Sequence, residues 1–298
     1  MITSTVRKPK TPKKPVKRVD LDALMGPCVA SALISRLSIF WPSKRNVPLS
    51  RWEASTQWGK VSVQGRLSQV HRSVLDAIFA FPIAHKRLPN ELGEPDKGPA
   101  IFVVNPYEIA TRAGVDHKRK WLEGILNDLK QADVRIEQRN HCAGIISEWE
   151  DTEENYPLRG GAVPGEAPLI RITVSSAWMK IMDETMSVRY SKLVPLIGSL
   201  ESGATQALVR FLITHDNARY SLREALAIVG ALREEISKSQ RNRVVAAVIA
   251  ERQRLSSDFG INLSESTTSE CGWAVTYRKH PQVFFASPDV IEQTPEEQ

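Results

Sequence analysis

Two short stretches of the chain carry side chains suited to meeting nucleic acid. In GVDHKRKWLEGIL, the residues His117, Lys118, Arg119 and Lys120 run straight into an apolar helical stripe, and in SKSQRNRVV the residues Lys238, Gln240, Arg241, Asn242 and Arg243 do the same. Arg and Lys contact guanine O6 and N7, whereas Gln and Asn pair with adenine N6 and N7. The free backbone amides at a helix N-terminus also favour phosphate. An isolated HKRK is better read as a solvated helix start, so the weight rests on finding such a cluster twice at equivalent places. The second, amide-rich cluster suits base edges, and the first, mainly cationic, suits phosphates.

Other chemistry is poorly served. His117 has Trp121 at i+4 where a second metal ligand would be needed, and His141 with Cys142 is a lone adjacent pair, so no metal site is expected. His71, His85, His215 and His280 have no partner in sequence and are read as surface or satisfied positions. There is no GxxxxGK[ST], GxSxG or HExxH, and RGGAVPG lacks both a lysine and a strand-to-helix junction. Tyr107, Tyr156, Tyr190, Tyr220 and Tyr277 lack the neighbouring histidines of a nicking nucleophile. Cys28, Cys142 and Cys271 show no CxxC spacing. The expectation is a protein that is not an enzyme, with no catalytic residue, metal or cofactor.

Charge needs correcting for its location. The net charge is +6, but residues 1–19 hold seven Lys or Arg, no acid, and prolines that forbid a regular helix. The remaining chain has 33 basic and 34 acidic residues, and setting aside Asp289, Glu292, Glu296 and Glu297 leaves 33 against 30. Only local clustering can therefore support DNA binding. No apolar run reaches eighteen residues and no signal-peptide core opens the chain, so a cytoplasmic protein with no membrane association is expected.

The clusters must be positioned by helices, and the spacing predicts these. Residues 21–40 have helical character broken by Gly26 and Pro27, and a connector WPSKRNVPLSRWE leads to a strand at Lys60–Gln64. Val70–Phe81 is an amphipathic helix, residues 89–99 a loop, and Ile101–Val104 a strand. Asn105 caps a helix with Pro106 at its first position, Gly114 ends it, and Asp116–Gln131 forms the next. Val134–Gln138 and Gly144–Trp149 then read as a hairpin joined by RNHCA, with Arg139 near its turn, and residues 151–167 read as a long acidic loop. A strand at Leu169–Val174 and helices at Ser175–Met182 and Tyr190–Leu200 connect to the second half.

That half repeats the first. Glu201–His215 matches the helix ending at Phe81, and SLREALAIVGA lies without a gap on NPYEIATRAGV. The helix Ser237–Leu255 keeps the apolar phase of Trp121, Leu122, Ile125 and Leu126. At that phase His117, Lys118, Arg119 and Lys120 fall on Gln240, Arg241, Asn242 and Arg243. A second hairpin spans Gly260–Ser264 and Cys271–Lys279, where Arg278 and Lys279 are candidate backbone contacts. The expected fold is α+β: two tandem winged-helix (helix-turn-helix) domains at residues 21–174 and 175–286, between a flexible basic arm at 1–20 and an acidic tail at 287–298.

The connector SKRNVPLSRWE, the unit VSVQGRLSQVHRSVLDAI, NPYEIATRAG followed by WLEGILNDLKQADVRI, and YSKLVPLIGSLESGATQALVR running on through SLREALAIVGA together resemble plasmid replication initiators of the tandem winged-helix kind, TrfA-like or RepA-like. The resemblance covers Ser31–Leu263 and rests on the order of the pieces. It implies a protein that binds direct repeats (iterons) of double-stranded DNA at an origin, promotes duplex opening, recruits the host replicative helicase and its loader, and exchanges between monomer and dimer. It further implies that the second winged helix dominates base reading, through Gln240, Arg241, Asn242 and Arg243, with Lys118, Arg119 and Lys120 as the second contact. Two recognition helices on one face would enter successive major grooves roughly 10 bp apart, so one monomer would cover about 20 bp. The alternative is a winged-helix transcriptional repressor, which would bind a short inverted repeat.

Overall fold

The computed structural model describes residues 30–44, 50–115, 119–136, 140–157, 166–233, 236–267, 269 and 271–286. The basic arm, the acidic tail, Lys118 and Arg139 lie outside the described residues. The chain is mixed α and β. The first half runs β1 (Ala30–Ser31), α1 (Ala32–Arg36), β2 (Ser50–Thr56), β3 (Gly59–Gly65), α2 (Gln69–Ala80), β4 (Ala84–Arg87), β5 (Ala100–Val104), α3 (Pro106–Arg112), α4 (Arg119–Gln131), β6 (Asp133–Ile136), β7 (Asn140–Ala143), β8 (Ile146–Pro157) and β9 (Glu166–Val174). Next come α5 (Ser176–Asp183), β10 (Ser187–Arg189), a 3-10 turn at Ser191–Leu193 and α6 (Val194–Ser199). The second half follows as α7 (Gly203–Leu212), β11 (Asn217–Ser221), α8 (Leu222–Ile228), α9 (Lys238–Ala250), α10 (Arg252–Phe259), β12 (Ile261–Glu265), β13 (Trp273–Arg278) and β14 (Phe284–Ala286).

The helix starts follow their capping residues. Asn105 Oδ1 accepts from the amides of Tyr107 and Glu108 at 3.0 and 3.3 Å, and Ser221 Oγ accepts from Glu224 N at 3.1 Å. Gly114 and Gly230 close the corresponding helices at φ 67° and 73°, a backbone that L side chains resist. The first of the paired helices in each half thus arises where the spacing places it.

Strand pairing departs from expectation in the first half. Val134 lies in β6, and NHCA is no turn: it forms β7, antiparallel to β6 in a sheet ordered β2-β3-β6-β7. The stretch read as an acidic loop is instead a long hairpin, β8 against β9, with residues 158–165 outside the described residues. Its composition suggests a loop, yet a register carrying Trp149 opposite Ile172 satisfies the backbone and gives β8 an apolar contact. Once this hairpin replaces the expected one, the halves match. In the first, β9 lies between β5 and β8, with β4 added outside β5; in the second, β13 lies between β11 and β12. Each half shares the order helix, strand, paired helices and a hairpin whose last strand returns to the middle of the sheet, with β6 and β7 inserted in the first and α10 in the second.

One more difference bears on function. The helix expected over Ser237–Leu255 breaks at Glu251 (φ −93°, ψ 9°), and α10 continues to Phe259. The buried apolar residues of both halves join in one contiguous cluster. Across it runs a buried polar bridge: Asp76 of α2 accepts from Arg72 Nε and Arg210 Nε, each at 2.8 Å, and Arg210 also donates to Gln69 and Ser73 at 2.9 Å. Among the described residues no helix is long and apolar enough to cross a membrane.

Candidate nucleic-acid interface

Helix α9 begins with a reciprocal cap. Ser237 Oγ accepts from Gln240 N at 3.3 Å and Gln240 Oε1 accepts from Ser237 N at 2.9 Å, which fixes the first turn. Of its thirteen residues only Val248 is buried, with Val244, Val245 and Ile249 partly covered against the core. Its first turn therefore stands away from the body. Lys238, Gln240, Asn242 and Arg243 are exposed there. Arg241 is half-buried and its Nε donates to Ile236 O at 3.2 Å, so this guanidinium is partly turned back onto the backbone. The cap also engages Gln240 Oε1 and leaves its Nε2 as a donor.

Helix α4 is set differently. It buries Leu122, Ile125, Leu126 and Leu129, and β8 packs against it, with Trp149 Nε1 donating to Asn127 Oδ1 at 3.0 Å. Arg119 donates to Glu123 Oε1 at 3.0 Å and to Asp151 of β8. Partial burial works against its charge, but the bonds to Glu123 and Asp151 outweigh this and hold its pKa above the ordinary value. Lys120 is exposed. The facing strand is acidic, with Glu148, Glu150, Asp151 and Glu153 all exposed. The two basic helix starts equated by sequence thus meet opposite surroundings: one is open, the other is partly neutralised by its own hairpin.

The hairpin candidates lie at the root of the second hairpin, away from its tip. Arg278 ends β13 opposite Asn217, while the turn begins after Glu265, the partner of Trp273. Lys279 pairs with Asp216 Oδ1 at 3.2 Å and sits 4.2 Å from the centre of the Phe285 ring. No Lys or Arg occurs from Leu255 to Tyr277, so the tip carries no cation. Residues 20–174 hold 19 basic and 19 acidic side chains, and residues 175–286 hold 14 and 11, which places the cationic excess of the body in the second half.

A Ser–His–Asp arrangement does occur, at Ser68, His71 and Asp128, with Ser68 Oγ 3.0 Å from His71 Nδ1 and His71 Nε2 3.2 Å from Asp128 Oδ2. Its chemistry is structural. Ser68 N donates to His71 Nδ1 at 3.1 Å, so the ring proton sits on Nε2 and points at Asp128. Ser68 and His71 are 0% and 1% exposed, and no substrate reaches the hydroxyl. The sequence left His71 without a partner because Asp128 lies on another helix. Sequence reading also missed Lys44, Gln206, Glu251 and Arg254, which converge on the α6–α7 connection; only the unusual acid inside the α9–α10 run hinted at it.

No protein-family model matches the sequence, and no curated protein sequence matches it. Among solved structures, the chain is similar to a crystal structure of domains 2 and 3 of RctB, determined as selenomethionine derivatives, at 13% identity and a TM-score of 0.50, covering 84% of this chain and 99% of that one. A second crystal structure of the same two RctB domains matches at 13% identity and a TM-score of 0.44, covering 83% and 97%. At that identity the likeness shows a shared arrangement of the backbone.

Proposed function

We propose that this chain is a sequence-specific DNA-binding replication initiator of the plasmid kind, built as two tandem winged helices with boundaries near residues 21–174 and 175–286. The observation that carries the reading is the open first turn of α9, where a fixed cap presents Lys238, Gln240, Asn242 and Arg243 to solvent on a helix that buries only Val248. A recognition helix needs that protrusion to enter a major groove. The matching strand order of the two halves, and the likeness to a chain made of two consecutive domains, support the tandem arrangement. The resemblance of the ordered motifs to plasmid initiators supports the role. Base reading is assigned to Gln240, Asn242 and Arg243, with Arg241 supporting from the helix flank; Lys120, and Lys118 beside it in sequence, make a weaker phosphate contact, since Arg119 is held by carboxylates. The protein acts without catalytic residue or cofactor in the cytoplasm, on direct repeats, with the host helicase and loader as partners and a monomer–dimer exchange as its control.

The test has two parts. A plasmid stripped of its origin and given this gene with its flanking DNA is expected to replicate in a host cell. DNA selected from a random pool is expected to bind with a loss of about 1–3 kcal/mol for Asn242→Ala or Arg243→Ala, whereas Lys120→Ala weakens all sequences alike and lowers the salt slope by about one. Failure to replicate, with Arg243→Ala binding selected DNA like the parent, refutes the reading; a single inverted repeat at a promoter would identify a repressor instead.

A further inference from the structure

The segment Gly198 to Ser202 closes α6 and leads into α7, and four side chains, three of them from distant parts of the chain, each make two hydrogen bonds to it. Lys44 Nζ donates to the carbonyls of Gly198 and Leu200 at 3.2 and 2.8 Å, and Gln206 Nε2 donates to the same two at 3.2 and 3.1 Å. Arg254 of α10 donates to Ser199 O at 3.2 Å and Ser199 Oγ at 2.6 Å. Glu251, at the break between α9 and α10, accepts from Glu201 N at 2.7 Å and Ser202 N at 3.3 Å. Its side chain is 8% exposed. A carboxylate here meets free amides at the start of α7, where negative charge is favoured.

The other side of the connection is as tight. Gly198 lies directly on Ala113 and Gly114, so closely that a Cβ on Gly114 would overlap the Gly198 carbonyl and a Cβ on Gly198 the Ala113 carbonyl. Gly203 lies as closely on Ser43. Ala113 and Gly114 are the turn that leads into α4, and Glu251 is the residue that ends α9. The turn that precedes α4 and the end of α9 are therefore held against one short segment, the first by glycine contact and the second by a buried carboxylate.

We propose that Glu251 and Arg254 are positioning residues that lock this joint and thereby set the spacing at which the two halves engage one DNA molecule. The break in the expected long helix is what aims Glu251 at the α7 amides. DNA specificity then has two sources: base contacts at α9, and the fixed offset from those contacts to the first half. The spacing part rests on the DNA reading above; the lock itself does not.

The experiment separates the two. Spin labels are placed at Gly124→Cys on α4, where an added Cβ meets nothing within 4 Å, and at exposed Ala246→Cys on α9, in a chain with Cys28 and Cys271 changed to Ser. The distance distribution between them is expected to be single and narrow, and to broaden or shift in Glu251→Ala and in Arg254→Ala. The Arg254 side chain is 39% exposed, so that variant keeps its fold even if Glu251→Ala does not. Unchanged distributions in both overturn the lock. On selected DNA, inserting one base pair between the two protected segments rotates them by about 35° and is expected to cost the parent about tenfold in affinity but the variants under about threefold. An equal cost in parent and variants overturns the spacing role. If no sequence is selected at all, the DNA reading fails while the label distances still decide the lock.

Discussion

The bridge between α2 and α7 offers the sharpest energetic test. Asp76 is 1% exposed and takes one hydrogen bond from each of two guanidiniums, Arg72 and Arg210, both 3% exposed, so the site holds two cations to one anion. Burial alone would lower the Arg72 pKa, but Asp76 and Tyr190 raise it above the ordinary value, and burial pushes the Tyr190 phenol up. Asp76→Asn keeps the shape and leaves two buried cations facing a neutral amide, which at about 3–5 kcal/mol for breaking a buried pair should fall at the upper end, about 4–5 kcal/mol. Arg210→Met leaves the Arg72–Asp76 pair neutral in sum but strands Asp76 Oδ2, Gln69 Oε1 and Ser73 Oγ. At about 1–3 kcal/mol for each stranded buried group, with the Ser73 hydroxyl free to turn and the carboxylate still balanced by Arg72, it should cost about 2–4 kcal/mol. The charge argument therefore predicts that losing the single acid costs more than losing an arginine. Urea unfolding followed by Trp fluorescence measures this: with a slope of about 3 kcal/mol per molar, Asp76→Asn lowers the midpoint by about 1.5 M. Trp58, 5.5 Å from Phe211, reports on α7, and its transition should coincide with loss of helix because the core is shared. An Asp76→Asn cost below about 1 kcal/mol, or below that of Arg210→Met, would refute the reasoning.

Two glycines should respond with opposite signs. Gly114→Ala places a side chain at φ 67° and against the Gly198 carbonyl, and is expected to destabilise by more than the about 1–2 kcal/mol of the left-handed backbone alone; Gly124→Ala, in an open helix position, should stabilise by about 0.5–1 kcal/mol, both read as shifts in thermal midpoint. His215, packed against Trp58, Phe211 and Tyr220, has its pKa lowered by burial first and then by Arg36. The folded form thus binds protons less readily than the unfolded chain, so its contribution is complete above the ordinary histidine pKa of about 6.5 and is lost as pH falls below it. His280, lowered by burial, acts in the same direction, so His215→Phe should reduce but not abolish the fall in thermal midpoint between pH 7.5 and 5.5; an undiminished fall would place its source elsewhere.

The sequence by itself determined the local elements. Asn105 and Ser221 cap, and Gly114 and Gly230 end, the helices read from them, and the apolar spacing of α4 marks the face that is buried; α2 and α7, amphipathic by their spacing, are instead buried on every side because both halves pack around them. Those signals act within one or two turns of chain and need no partner. Tertiary structure alone decided which strands pair. NHCA reads as a polar turn and DTEENYP as a loop, because composition records the solvated side chains and not the backbone hydrogen bonds that β6 and β9 supply. It also decided how the two basic helix starts differ. Lys238–Arg243 and the HKRK run are alike as sequence, but Asp151 and the acids around it come to α4 from β8, 28 or more residues beyond Lys120, whereas among the described residues no such strand covers α9. Charge pairing depends on distance in space, and so the same vocabulary is largely exposed in one half and partly spent in the other. The lock at Gly198–Ser202 has the same origin: Lys44, Gln206, Glu251 and Arg254 are ordinary surface residues in sequence, and only the packing of both halves around one connection brings them together.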